Sequence, residues 1–215
     1  EEIKNSESLG IHADNVTFDF AEVMEHKNLV VEKLRKGLEL SLKNRKVEVL
    51  NTEARLLSEH KIEADGQIFE CKKIIIATGS EPKNFNGMER DGIFVLNSDD
   101  ILNLSKLPKN IVIVGSGAIG IEWARIFSAF ETDVTIIEAA DYLLPAADID
   151  VSKRIERIFK SGKIKIYKSN GVEKIQNKKV YLTGGEILEP EIVLVAIGRK
   201  ICRIDNSDSV ICIGD

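Results

Sequence analysis

The residues best suited by type and spacing to do chemistry are Gly115-Ser116-Gly117-Ala118-Ile119-Gly120 and, further on, Glu138. In a turn of this pattern the first glycine makes the tight turn, the second lets the backbone approach a pyrophosphate, and the third permits close packing of helix on strand. The free N–H groups and positive dipole end of the following helix hold phosphate charge. Glu138 stands close to the interval of about 20 residues at which a carboxylate accepts hydrogen bonds from a ribose 2′-hydroxyl. Ala139 and Ala140 follow it, with no arginine to meet a 2′-phosphate, which favours NAD over NADP. The competing reading is a glycine-rich turn with no ligand. An apolar strand before the turn, an amphipathic helix after it and an acid near the expected distance argue against that. Glu122, in the first turns of the same helix, reads from its position as a complement to the helix dipole.

These groups need a strand, a helix and a second strand to position them. Ile111 to Val114 is an unbroken apolar run, which suits a central parallel strand covered on both faces. A helix is expected from about Ala118 to Phe130, with Ile119, Trp123, Ile126, Phe127 and Phe130 on one face. The second strand is Asp133 to Ile137. A loop with Pro145 follows, then a helix from Asp150 to Ser161 stopped by Gly162 and a strand from Lys163 to Tyr167. Residues 171 to 188 read as short antiparallel strands turned at Gly184-Gly185, and Glu191 to Ile197 as another apolar strand ending at Gly198-Arg199. With Pro108 as a boundary, this order fits an α/β domain over 108–200. Ser98 to Leu102 reads as a short capped helix just before it.

Residues 1 to 19 are expected to be a helix tail and a loop. A long helix should run from Phe20 to Lys43, with Val23, Leu29, Val30, Leu34, Leu38 and Leu42 as its apolar stripe and a solvated charged face. Strands are expected at Val47 to Leu50 and Ala54 to Leu57, and a hairpin should join Lys61–Ala64 to Gln67–Glu70 across Asp65-Gly66. Lys73-Ile74-Ile75-Ile76, running into Ala77-Thr78-Gly79-Ser80-Glu81-Pro82, describes a buried parallel strand, and the carboxyl end of such a strand is where ligands sit in open α/β sheets; taken alone, a strand running into a turn before proline is an ordinary event with no ligand.

With 215 residues, 43% of them hydrophobic, the chain can form one large or two modest domains. A formal net charge of −5 with both signs mixed argues against a nucleic-acid partner. No apolar run is long enough to span a bilayer, so no membrane partner is expected. The three cysteines, Cys71, Cys202 and Cys212, show neither CxxC nor metal-ligand spacing, and are expected to be structural thiols in a reducing cytoplasm. No metal site is expected.

Ala77 to Pro82, Gly115 to Glu122, Val134 to Glu138, Val195-Ala196-Ile197-Gly198-Arg199 and Ile213-Gly214-Asp215 occur in this order. Together they resemble the flavin- and pyridine-nucleotide-dependent disulfide oxidoreductases, and within them the dihydrolipoamide dehydrogenase branch, over nearly the whole chain. The resemblance implies a Rossmann-like NAD-binding domain, 108–200, inserted in a partial FAD-binding domain made of 1–107 and a return segment, 201–215. It implies FAD and NAD as cofactors, with electrons passing from a small-molecule or lipoyl-domain dithiol through a disulfide and FAD to NAD. By the same resemblance, Gly115, Ser116, Gly117, Ala118, Ile119 and Gly120 hold the NAD pyrophosphate and Glu138 its adenosine ribose. Val172 lies beside the adenine and Gly198 near the nicotinamide end. Ala54, Ala77, Thr78 and Gly79 pass the FAD, and Asp215 accepts a hydrogen bond from it. An acid at the place of Glu122 lies near nicotinamide and flavin in the family, supporting catalysis with a lysine beside the redox disulfide. That lysine is absent from this sequence.

Other departures are large. A family member needs an N-terminal strand and glycine-rich turn for FAD, a Cys-x4-Cys redox pair, and a C-terminal dimerisation domain carrying a His–Glu pair. None of these is in the sequence, so a fragment is expected, with the homodimer belonging to the full-length protein and little turnover from this chain alone. His12, His26 and His60 are expected in surface or structural roles. Strands Ile74 to Ala77 and Val210 to Ile213 should flank a missing strand. The segment Ile201 to Ser209 reaches at most about 30 Å when extended, short for the family's crossing, which implies skipped residues there. Two readings stay beside the leading one: a non-catalytic NAD(H)-binding module, and a relative such as an NADH oxidase or another disulfide reductase.

Overall fold

A computed structural model describes residues 10, 12, 14–202 and 204. These divide into two compact units. One holds Pro82–Gly198 with the described residues up to Met24, and the other holds Glu25–Glu81 with the described residues from Arg199. In chain order the elements are α1 (Phe20–Asn44), β1 (Ala54–Ser58), β2 (Lys61–Ala64), β3 (Gln67–Glu70), β4 (Ser80–Pro82), β5 (Val95–Leu96), α2 (Ser98–Ile101), β6 (Asn110–Val114), α3 (Ala118–Ala129), β7 (Asp133–Ile137), α4 (Ile149–Ser161), β8 (Lys165–Tyr167), β9 (Val172–Gln176), β10 (Lys179–Leu182), β11 (Ile187–Leu188), β12 (Ile192–Val195) and β13 (Arg199–Ile201).

The larger unit is built on a parallel sheet in the order β5-β12-β6-β7-β8. Its strands are apolar runs because both faces are covered. Ile111 and Ile113 of β6 turn to one face and pack with Ala124 and Phe127 of α3 and Phe159 of α4. Val112 and Val114 turn to the other and pack with Val172 and Val180 of the antiparallel sheet β9–β10–β11. Side chains alternate across a strand, so one continuous run of isoleucine and valine serves both layers. Each fully buried side chain of this kind is worth roughly 1.5–3 kcal/mol over leaving it in water.

Local chemistry sets the ends of these elements. Asn97 caps α2 by accepting from the amides of Asp99 and Asp100, and Asp100 accepts in return from the Asn97 amide. Asp148 caps α4 through the Asp150 amide, 2.8 Å away. Both bounds agree with the sequence to within a residue or two. Lys163 lies outside β8 at φ 62°, where a β-strand cannot begin. The aromatic rings of Phe18 and Phe20 meet Phe130 edge-on, 5.0 and 6.2 Å between centroids.

In the smaller unit β1, β2 and β3 form an antiparallel meander. The β2–β3 hairpin has the expected register, Lys61 opposite Glu70 and Ala64 opposite Gln67. Asp65 and Gly66 both take positive φ, as a tight two-residue turn requires. Two expectations fail here. Val47 to Leu50 forms no strand, and its apolar side chains are exposed. Lys73 to Ala77 is likewise not a strand: Ile76 alone makes a bridge, and Ile75 is 73% exposed. Both runs have the composition of a strand. A strand also needs a hydrogen-bonded neighbour along its length, and no ladder among the described residues supplies one. The stripe of α1 is not covered either. No residue of that helix is buried, and Leu34 is 69% exposed. Its charged face carries the ion pairs Arg35–Glu32 and Arg35–Glu39, and hydrogen bonds from Arg35, then Lys36, hold the Glu32 carboxyl down to about 2. The expected strand Val210 to Ile213, the residues 1–9, Cys212 and most of the short crossing lie outside the described residues.

One polar link closes the larger unit ahead of its central strand. Arg90 donates from Nε to the Asp100 carboxylate at 2.5 Å, and the capped helix α2 is held through it. That hydrogen bond, with help from the Asn97 amide and against the effect of burial, holds the Asp100 carboxyl below its ordinary range. A lowered carboxyl contributes stability that is present above its unfolded value near 4 and is lost as pH falls through its folded value. Asp100→Asn is therefore expected to lower the unfolding midpoint at pH 7, with the gap from wild type shrinking below about pH 4. Denaturant unfolding of both proteins at the two pH values checks this, and an equal gap at both would remove Asp100 from the acid response.

Candidate dinucleotide site

The site forms where strands of the parallel sheet end together. β6 and β7 pair in register from Asn110 opposite Asp133 to Val114 opposite Ile137. The ladder continues one step, with the Gly115 amide donating to the Ile137 carbonyl at 2.8 Å, and the Ala196 amide donates to the Val114 carbonyl at 2.8 Å. Gly115, Glu138 and Ala196 are thus brought to one level. They line a cavity of about 710 Å³ together with Ser116 to Ile119, Val172 and Gly198. A crevice at the carboxyl ends of the strands is the expected place for a ligand in an open α/β sheet.

The three glycines of the turn are needed for different reasons. At Gly115, with φ 96°, a Cβ would stand 2.6 Å from the Ala196 carbonyl oxygen. At Gly120 a Cβ would collide with the Gly115 carbonyl, so this residue lets α3 lie against the turn. Gly117 differs. Its φ of −66° is open to any residue, and a Cβ there would meet nothing within 4 Å. No packing within the protein calls for glycine at 117, and the space beside it belongs to the cavity. Gly117 is also the N-cap of α3 and offers no side-chain acceptor to that helix's first amides. A diphosphate against the backbone would use both the space and the amides.

Glu138 is buried and its carboxylate is held from two sides. Oε2 accepts from the Ser116 amide at 2.8 Å and the Ser116 hydroxyl at 2.5 Å, and Oε1 accepts from the Ala140 amide at 2.8 Å. The acid is thus tied to the phosphate-side turn itself. The loop after β7 is drawn in as well, since the Leu144 amide donates to the Ser116 carbonyl at 3.0 Å and Pro145 lines the cavity. From the sequence, Ser116 is a member of the glycine-rich turn only. Its tie to Glu138 depends on the register of β6 and β7.

Val172 lines the cavity from the meander side, and the Asn170 amide donates to the Glu138 carbonyl at 3.1 Å, which seats that edge against the acid. Gly198 also lines the cavity, with φ 108°. Glu122 is exposed on α3 and does not line the cavity. The residues expected against FAD lie in the smaller unit. Ala54 opens β1, and Ala77, Thr78 and Gly79 form the segment before β4. The Thr78 hydroxyl donates to the Cys202 carbonyl, and the Cys202 amide donates to the Gly79 carbonyl at 3.0 Å. None of the four lines the large cavity, and Asp215 lies outside the described residues. His12, His26 and His60 are exposed and line no part of it, and Cys71 and Cys202 are free thiols.

Residues 5–208 match the pyridine nucleotide-disulphide oxidoreductase family, and the chain belongs to that family. Among curated relatives it is similar to the dihydrolipoyl dehydrogenase of Chlamydia pneumoniae, 36% identical over 204 residues, which takes in 92% of this chain and 44% of that protein. It is also similar to a dihydrolipoyl dehydrogenase of Bacillus subtilis, 33% identical, over 93% of this chain and 46% of that one. The chain therefore spans a little under half the length of these relatives. Among solved structures, the HOCl-induced flavoprotein disulfide reductase RclA from Escherichia coli superposes with a TM-score of 0.74 at 29% identity, covering 86% of this chain and 44% of that one. LpdA from Mycobacterium tuberculosis shares the fold, with a TM-score of 0.81 over 97% of this chain and 47% of that one at 21% identity.

The Ser116–Glu138 pair gives a direct test of how the acid is held. Removing a hydrogen bond to a buried carboxylate costs about 1.5–3 kcal/mol. Ser116→Ala is expected to lower stability by about that much, and its effect should shrink in a Glu138→Ala background, where no side-chain acceptor remains. A double-mutant cycle in denaturant measures the coupling, and additive effects would show that the two side chains do not depend on each other.

Proposed function

We propose that this chain is the nicotinamide-nucleotide half of a flavoprotein disulfide oxidoreductase of the dihydrolipoyl dehydrogenase kind, with FAD and NAD as cofactors. The observation that carries the proposal is the cavity at the sheet's carboxyl edge, with open space beside Gly117 at one wall and the buried Glu138 carboxylate at another. In this reading Gly115 to Gly120 hold the diphosphate with backbone amides and the end of a helix dipole. Glu138 accepts from the adenosine ribose and rejects a 2′-phosphate by charge. Val172 lies against the adenine and Gly198 at the nicotinamide end. The chemistry supplied when the cofactors are bound is electron transfer from a dithiol, through an enzyme disulfide and FAD, to NAD.

The boundaries 108–200 for the NAD domain, with 1–107 and 201–215 contributing to an FAD domain, belong to the same proposal. On the flavin side this chain offers the backbone of Ala77 to Gly79, the Ala54 backbone and Asp215. The Thr78 hydroxyl is engaged by Cys202, so that side is supported by family membership rather than by a cradle. Glu122 is proposed as a supporting residue close to the redox centre of the full-length protein. A lipoyl or other dithiol substrate, a homodimer and a cytoplasmic setting are proposed for the whole protein by its similarity to dihydrolipoyl dehydrogenases. Among the described residues no helix is long and apolar enough to cross a membrane.

Two measurements on the full-length protein test this reading. Calorimetric titration is expected to show NAD(H) bound in preference to NADP(H), and Glu138→Ala to weaken NAD(H) by about 1–3 kcal/mol, the cost of a hydrogen bond to a charged group. Equal affinities before and after the substitution would remove Glu138 from the ribose site. An absorption spectrum with flavin bands separates the flavoprotein from a module that binds NAD(H) alone, and a spectrum without them would overturn the flavoprotein reading.

A further inference from the structure

We propose that Lys83 is a cofactor-positioning residue, its ammonium pairing with the diphosphate of NAD(H). The proposal rests on the reading of the cavity as an NAD(H) site. Among the described residues that line the cavity, Lys83 is the only basic side chain and Glu138 the only acidic one. Two contacts hold Lys83 to Gly198. Its amide donates to the Gly198 carbonyl at 3.0 Å. Its side chain lies beside Gly198, with Cδ and Nζ each 3.8 Å from where a Cβ on that glycine would stand and Cε 4.0 Å away. The stem and the ammonium therefore both lie against Gly198, two residues beyond Ala196, whose carbonyl oxygen would stand 2.6 Å from a Cβ at Gly115 of the glycine-rich turn. No carboxylate among the described residues forms an ion pair with that head group.

The charges of the site call for such a group. A diphosphate brings two negative charges into a cavity that already holds the Glu138 carboxylate. The end of the α3 dipole offsets only about half a charge. A lysine ammonium is a compact point charge on a flexible stem, suited to meet phosphate oxygens without fixed geometry. The oxidised nicotinamide ring, by contrast, is itself a cation and repels an ammonium, so the phosphates are the better partner for this side chain. Lys83 lies well before the glycine-rich turn in the chain, and the segment after β4 carries it to the cavity through the bond to Gly198.

The experiment compares wild type, Lys83→Met and Lys83→Arg in the full-length protein by calorimetric titration with NADH and with ADP-ribose, at low and high salt. Lys83 is exposed, so the variants should keep the wild-type unfolding temperature, which is measured alongside. Lys83→Met is expected to weaken NADH and ADP-ribose by the same factor, roughly five- to twentyfold at low salt, with less effect at high salt as the interaction is screened. Lys83→Arg should retain most of the affinity. Unchanged binding by Lys83→Met overturns the proposal. So does a loss confined to NADH, which would place the ammonium at the nicotinamide. A wild-type protein that binds neither ligand overturns the NAD(H) reading itself, and is distinct from a wild type that binds both without help from Lys83.

Discussion

The hydrogen bond from the Gly115 amide to the Ile137 carbonyl is the constraint on which the site depends. It carries the β6–β7 ladder one residue past the end of β6, so that the glycine-rich turn and the tip of the neighbouring strand begin at the same level. A slip of one residue would turn Glu138 to the other face of the sheet and part it from Ser116. Register is in turn held by burial, because every residue of β6 after Asn110 is inaccessible from both sides. The core that stabilises the sheet therefore also aligns the two ends that a dinucleotide would bridge.

The two coverings of the sheet have separate tasks. Helices α3 and α4 close one face, and α3 points its uncapped amino end at the cavity. The meander closes the other face through Val172, Val180 and Leu182 and brings Val172 to the cavity wall. Packing and ligand-facing surface come from the same elements, so a change in either layer that shifts the sheet would be felt at the site. The smaller unit has less of this economy. Its strands form a clear hairpin meander, while α1 buries none of its residues and Ile75 stands largely in solvent.

Much of this arrangement was legible in the sequence because its signals are short-range. The apolar run before Gly115, the helical spacing from Ile119 to Phe127, the short capped helix at Ser98 and the turn at Asp65-Gly66 each act within a few residues. Family resemblance and the measured matches agree, which sets the fold. The failures have a common cause. Val47 to Leu50 and Lys73 to Ala77 have the composition of strands, but pairing is a property of two segments, and composition reports on one. The same limit applies to the site. Glu138 could be found from its distance to the turn, whereas its tie to Ser116 and the place of Lys83 beside Gly198 are set by contacts that cross the chain.

The way Glu138 is held has a further consequence for how the site could change. Its carboxylate is the acceptor for the Ser116 amide and hydroxyl and for the Ala140 amide, in a place that excludes most water. An arginine introduced there to welcome a phosphorylated sugar would supply no acceptor and would strand those donors. On the proposed role of Glu138 in the ribose site, cofactor preference is coupled to the integrity of the loop beyond β7, and a switch would have to rebuild that loop along with the charge.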